Sequence, residues 1–115
     1  MSQFKVHTVK SLLWPITVQV PVDCEANDDG QFVGQSREHH FVGKFAMITD
    51  AEFQTLFIEG GDVAVLNKVL KAVGNDKDNL TANKNTFKEM LALPFYRKGI
   101  FEAYQDFLLG GQEKN

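Results

Sequence analysis

One cysteine, one tryptophan and three prolines are all that the 115 residues hold of these types. The single thiol, Cys24, excludes an internal disulfide and a cysteine-built zinc site, and it suits a reducing compartment. Clustered positive charge is also missing. Arg97-Lys98 is the one adjacent basic pair and the net charge is -3, so the chain lacks the basic patch that displaces counterions from phosphates. A nucleic-acid partner is therefore not expected. No apolar stretch approaches the ~20 residues needed to span a bilayer, and Met-Ser-Gln-Phe-Lys-Val-His does not read as a signal peptide. A cytosolic chain with no membrane partner is expected.

The motifs of catalysis are equally scarce. Ser2, Ser11 and Ser36 sit in no nucleophile elbow. Cys24 lies between Asp23 and Glu25, whose charges oppose thiolate formation. Gly60-Gly61 and Gly110-Gly111 are not followed by the lysine of a phosphate loop, and Asp28-Asp29-Gly30 lacks the remaining ligands of a calcium loop. His39-His40 is the most metal-like pair, yet neighbours on a strand point to opposite faces and cannot share an ion. The sequence reads as a non-enzyme with no catalytic residue, no cofactor and no metal.

What the chain does have is apolar area: 43% of its residues are hydrophobic, and among the aromatics Phe (10) far outnumbers Tyr (2) and Trp (1). Trp14, Ile16, Val18, Val20 and Val22 alternate with Pro15, Thr17, Gln19 and Pro21, the period-two pattern of a half-buried strand. Two prolines on one face favour an edge position. Residues 24–31 are dense in turn formers. Residues 36–48 form a second extended run, with His39, Phe41, Gly43, Phe45 and Met47 on one face, so the two runs make a long antiparallel hairpin. Phe4-Lys5-Val6-His7 is a candidate third strand.

From residue 49 the period becomes helical. Thr49-Asp50-Ala51-Glu52 is a capping box, and Phe53, Leu56 and Phe57 form a stripe ending at Gly60-Gly61. A second helix is read from Asp62 to Val73 with Gly74 as its cap, then a polar loop to residue 81. A third helix follows Thr81, and a fourth opens at Pro94, where the missing amide hydrogen costs nothing, and closes at Gly110-Gly111. The expectation is an α+β fold: an N-terminal antiparallel β-hairpin or sheet followed by about four α-helices. Residues 1–115 form a single domain, with a β-rich part over 3–48, a helical part over 49–110 and a flexible tail at 111–115.

The fourth helix carries the candidate binding residues. On a helical wheel Tyr96, Ile100, Ala103 and Phe107 make a core stripe. Phe101, Tyr104 and Leu108 widen it on one side to an arc of roughly 160°, against the ~100° of a minimal core-facing helix, with Arg97 interrupting the wider part. Phe101, Tyr104 and Leu108, with Arg97, are therefore the candidate surface for self-association or a partner helix.

The order of these segments is itself informative. A Trp-Pro-Ile-Thr-Val-Gln-Val-Pro-Val strand precedes a Phe-Val-Gly-Lys-Phe strand, a short acidic helix, a valine-leucine helix and a polar loop. The chain closes with Leu-Ala-Leu-Pro-Phe-Tyr-Arg-Lys-Gly-Ile-Phe-Glu-Ala-Tyr and Gly-Gly-Gln-Glu-Lys-Asn. Over nearly its whole length it resembles the small tail assembly chaperones of long-tailed bacteriophages. It differs from many of them in having no Trp in the loop Val73–Asn79.

The resemblance implies a protein that coats the helical tape measure protein in the host cell cytoplasm while the tail tube assembles, and is absent from the mature virion. It implies self-association into a homo-oligomer or spiral. It also implies contact with the major tail tube protein through a longer form made by ribosomal frameshifting. Glu113-Lys114-Asn115 can be encoded GAA-AAA-AAC, which contains the slippery heptamer A-AAA-AAC; GAG or AAG codons there would remove that reading. The alternative is a virion-resident tail-completion or adaptor protein.

Overall fold

The computed structural model of the chain describes residues 3–111. The element order is β1 (Ser11–Ala26), β2 (Phe32–Ala46), α1 (Asp50–Val69), β3 (Leu70–Gly74), β4 (Leu80–Thr81), α2 (Lys84–Ala92) and α3 (Pro94–Leu108). The four strands form one antiparallel sheet in the order β1-β2-β3-β4. The fold is thus α+β with an N-terminal hairpin, as the sequence pattern implies, but with three helices rather than about four.

The hairpin follows the alternation. Trp14 faces Gly43, Ile16 faces Phe41 and Val18 faces His39 across the β1–β2 ladder. Ile16, Val18, Phe41 and Phe45 are buried on one face of the sheet. The other face is polar, carrying a chain of hydrogen bonds that runs Thr17–His40–Glu38–Gln19–Ser36. β1 is an edge strand, which accommodates Pro15 and Pro21. Asn27 closes the hairpin: its side chain accepts from the amides of Asp29 and Gln31, both at 3.0 Å, and Gly30 takes φ 79°.

Residues 4–7 form no third strand; Phe4 and Val6 stand in solvent. The third and fourth strands lie instead in the part read as helical. Leu70–Gly74 was expected to continue a helix because Val65, Leu66, Val69, Leu70 and Val73 share a helical face. Lys44 and Gly43 of β2 offer Ala72 and Val73 a ladder, and burial of Leu70, Ala72 and Val73 rewards it.

α1 also departs from expectation, since it joins two segments read as separate helices. Gly61 interrupts it at φ 69°, ψ -158°, a region open essentially to glycine alone. The Glu52 carboxylate lies 3.9 Å from the Lys68 ammonium, whereas sixteen residues of straight helix would separate them by about 24 Å. The chain therefore doubles back at Gly61. Thr49 caps the first arm by accepting from the Glu52 amide at 3.2 Å, but Glu52 turns to Lys68 rather than completing the box.

α3 lies against β1 on the apolar face of the sheet, with α1 and α2 at its sides. A Cβ on Gly99 would meet Val18 Cγ2 at 2.7 Å and the Thr17 carbonyl oxygen at 2.9 Å, so helix and strand approach too closely for any side chain. At its end Gly110 and Gly111 take positive φ, and the Gly111 amide donates to the Asp106 carbonyl at 2.8 Å. Residues 112–115, which hold the proposed frameshift codons and most of the expected tail, lie outside the described residues.

Beyond Val20 and Arg37 no described residue covers the hairpin, and residues 21–38 are exposed on both faces. The result is an arm. It gives the molecule extents of 69 × 36 × 34 Å and a radius of gyration of 17.2 Å, against about 13 Å for a compact chain of this length.

Candidate partner-binding face

The four candidate residues of α3 do not form one surface. Tyr104 is 0% exposed. Its ring lies 5.1 Å from that of Phe45 and 5.7 Å from that of Phe107, and its hydroxyl donates to the Ala46 carbonyl oxygen at 2.9 Å. Burial pushes its phenol up to about 12. Tyr104 is therefore core, and the expected seam through it is corrected. The wheel gave the width of the apolar arc, but α3 is held between the sheet and α1, so the arc is covered from two sides.

Arg97 is a tie rather than a free surface cation. Its Nε donates to Asp62 Oδ2 at 3.2 Å and its Nη1 to the Leu91 carbonyl at 3.2 Å. One guanidinium thus links α3 to the second arm of α1 and to the end of α2, whose last carbonyls lack helical partners.

Phe101 and Leu108 are partly buried against the core. Phe101 packs against Phe53 and Phe57, each with ring centroids at 6.0 Å, and those two rings stack at 6.1 Å with 8° between their planes. Phe57 is 46% exposed and the neighbouring Ile58 80%. Leu108 lines a groove of about 400 Å³ with Met47, Ile48, Phe53 and Leu109, edged by Asp50, Gln54 and Gln105. Leu109 is 70% exposed. The groove and the phenylalanine trio share Phe53, so together they form one apolar face where the first arm of α1 crosses α3. Phe57, Ile58 and Leu109 were not among the sequence candidates. The i, i+4 spacing of Phe53 and Phe57 was visible, but a core stripe has the same spacing.

A second groove of about 430 Å³ opens at the root of the arm, between β2, the β3–β4 turn and the α2–α3 junction. Phe41, Val73, Met90, Leu93 and Tyr96 make its apolar wall. His39 Nδ1 and Tyr96 Oη are paired there at 2.9 Å. On the rim, donation by the Asn79 side-chain amide and the Asp78 backbone holds the Asp76 carboxyl below its usual range. His40 lies on the opposite face of the sheet between Thr17 and Glu38, and Cys24 is exposed on the arm. No three metal-binding side chains come together among the described residues, and no helix there is long and apolar enough to cross a membrane. Both grooves are walled chiefly by apolar side chains.

No family model matches the chain, and comparison with curated proteins and with solved structures gave no match.

Proposed function

We propose that the chain is a non-enzymatic tail assembly chaperone, and that it holds the apolar ridge of a tape measure helix on the face made by Phe53, Phe57, Phe101, Leu108 and Leu109. The observation that carries this reading is the phenylalanine trio, partly buried at Phe53 and Phe101 and exposed at Phe57, running into the groove beside Leu108. Such a surface suits helix-in-groove recognition, in which side chains at i, i+3, i+4 and i+7 of the guest fill apolar hollows. It is shallow, so each contact is weak. Many copies along a long helical filament still reach high occupancy by avidity, and each copy is removable as tube subunits compete.

In this reading the protein acts in the host cell cytoplasm, self-associates along the filament, recruits the major tail tube protein through a frameshifted longer form, and is absent from the mature virion. The test is titration calorimetry of the purified chain with helical segments of the tape measure protein encoded beside it. Binding that Leu109→Asp weakens at least tenfold supports the reading. Equal binding by the wild type and Leu109→Asp removes this face from it, and detection of the chain in purified virions by mass spectrometry favours a virion-resident adaptor.

A further inference from the structure

Phe4 is 92% exposed and Val6 75%, in a stretch, residues 3–9, that belongs to no helix or strand. An exposed apolar pair is ordinary by itself. What matters is where this stretch is tied down. The Met47 amide donates to the Lys10 carbonyl oxygen at 2.9 Å, one step beyond the Ser11–Ala46 pair that opens the β1–β2 ladder. Val9 is partly buried on the core cluster. Met47 is also a wall of the groove beside Leu108, so residues 3–8 leave the fold at the groove's own margin.

Reach and chemistry agree with that placement. Six extended residues, from Lys10 to Phe4, span about 20 Å. The helical walls of the groove, Asp50 to Gln54 on α1 and Gln105 to Leu109 on α3, run for only about 6 Å each. Phe4 and Val6, two residues apart, share one side of an extended segment, and Lys5 and His7 share the other. Residues 3–10 carry Lys5, His7 and Lys10 and no acid. The one charged residue in the groove's lining is Asp50, and no Lys or Arg lines it. The sheet offers this stretch no better place. Lys10 continues the ladder past the end of β1, and Pro15 and Pro21 remove amide donors from that strand.

We infer that residues 3–8 are a strap that closes over this groove in its own chain, seating Phe4 and Val6 against Met47, Leu108 and Leu109, with Lys5 beside Asp50. The structure shows the strap open. A short tether supplies an effective concentration on the order of millimolar, so a shallow apolar contact is enough to populate the closed form. The same segment of a second copy has the same chemistry but lacks the tether. The strap regulates the face named in the proposed reading and rests on that reading for its role: a tape measure helix must displace it, and the apparent affinity falls with the fraction of chains that are open.

The closed form is tested without any guest, so its failure and that of tape measure binding are separate. In methyl-labelled full-length chain, nuclear Overhauser contacts should join the Phe4 ring to the Leu108 or Leu109 methyls, equally at about 0.1 and about 1 mM. Phe4→Asp and Val6→Asp, both at exposed positions, should keep the circular dichroism spectrum and shift those methyl resonances. Phe32→Asp, 77% exposed on the distant arm, should leave them in place. Phe4→Asp should also tighten the binding of a tape measure helix several-fold. Methyls that neither variant shifts, or Phe4 contacts found only between labelled and unlabelled copies, would overturn the strap. Equal guest binding by wild type and Phe4→Asp would overturn its role as a gate. No guest binding by either, with the Phe4 contacts present, would count against the proposed reading alone and support the strap.

Discussion

The hydroxyl of Tyr104, near the end of the chain, donates to the backbone carbonyl of Ala46, at the end of β2, across 2.9 Å. A side chain expected to face a partner thus fixes α3 to the sheet. Tyr104→Phe deletes that bond and leaves the carbonyl without its donor, which should cost about 1–2 kcal/mol in urea unfolding. Tyr104→Asp places a charge in the core and should abolish the folded spectrum. Retention of the fold by Tyr104→Asp would contradict the burial.

The same phenol gives a pH dependence. Its folded pKa of about 12 stands above the usual phenol value of 10.0 because burial disfavours the phenolate. The unfolded chain therefore loses this proton first, and stability should fall as pH rises from about 10 to about 12, by at most about 2–3 kcal/mol. The step should vanish in Tyr104→Phe. Urea midpoints at pH 9, 10, 11 and 12 for the two proteins measure it.

Gly99 tests the contact between α3 and β1. Alanine is the better helix former by about 1 kcal/mol, so an exposed site would gain from Gly99→Ala. Here the new methyl would press on the Thr17 carbonyl at 2.9 Å, and a net loss of about 1–3 kcal/mol is expected. Trp14 packs edge-on against Phe107 at 5.5 Å, so tryptophan fluorescence should report the loss directly.

How much was legible beforehand differs by element. Pro15, Pro21 and the Trp14–Val22 alternation marked an edge strand because period two and missing amides leave few alternatives. Thr49 and Pro94 marked helix starts through local chemistry. Leu70–Val73 misled, since Leu70 and Val73 continue the helical spacing of Val65, Leu66 and Val69 yet also suit a buried strand, and the choice belonged to β2. Tyr104 misled for a related reason: a wheel orders side chains around an axis but cannot show how many neighbours the helix has. Phe101 and Leu108 stayed at the surface because the first arm of α1, reversed at Gly61, shields them only in part.

Gly61 is the next test. No other residue adopts its φ and ψ cheaply, so Gly61→Ala should destabilise by about 1–3 kcal/mol. It should also loosen the first arm and disturb the phenylalanine trio, weakening tape measure binding in calorimetry even under conditions where circular dichroism shows the protein folded. Gly34→Ala, in the arm with nothing within 4 Å of the new methyl, is the control and should leave that binding unchanged.

Arg97 and Asp62 are each about one-third exposed at a distance of 3.2 Å. Their coupling in a double-mutant cycle should be modest, about 1 kcal/mol or less, and should shrink in salt. Arg97→Ala alone should cost more than Asp62→Ala, because it also frees the Leu91 carbonyl. Equal costs would mean that the carbonyl contact adds nothing.

The contact of Gly99 with Thr17 and Val18 has a consequence for synthesis. The two partners are separated by most of the chain, so the first strand made waits for the last helix before its apolar face is covered. Ile16, Val18, Phe41 and Phe45 stay wet on any nascent chain that stops short of α3. Contacts of such long sequence separation form late, and the uncovered sheet is the species most exposed to aggregation. Folding of the sheet is thus tied to the synthesis of α3. Truncations before Pro94 should be insoluble, whatever the merits of the hairpin they contain.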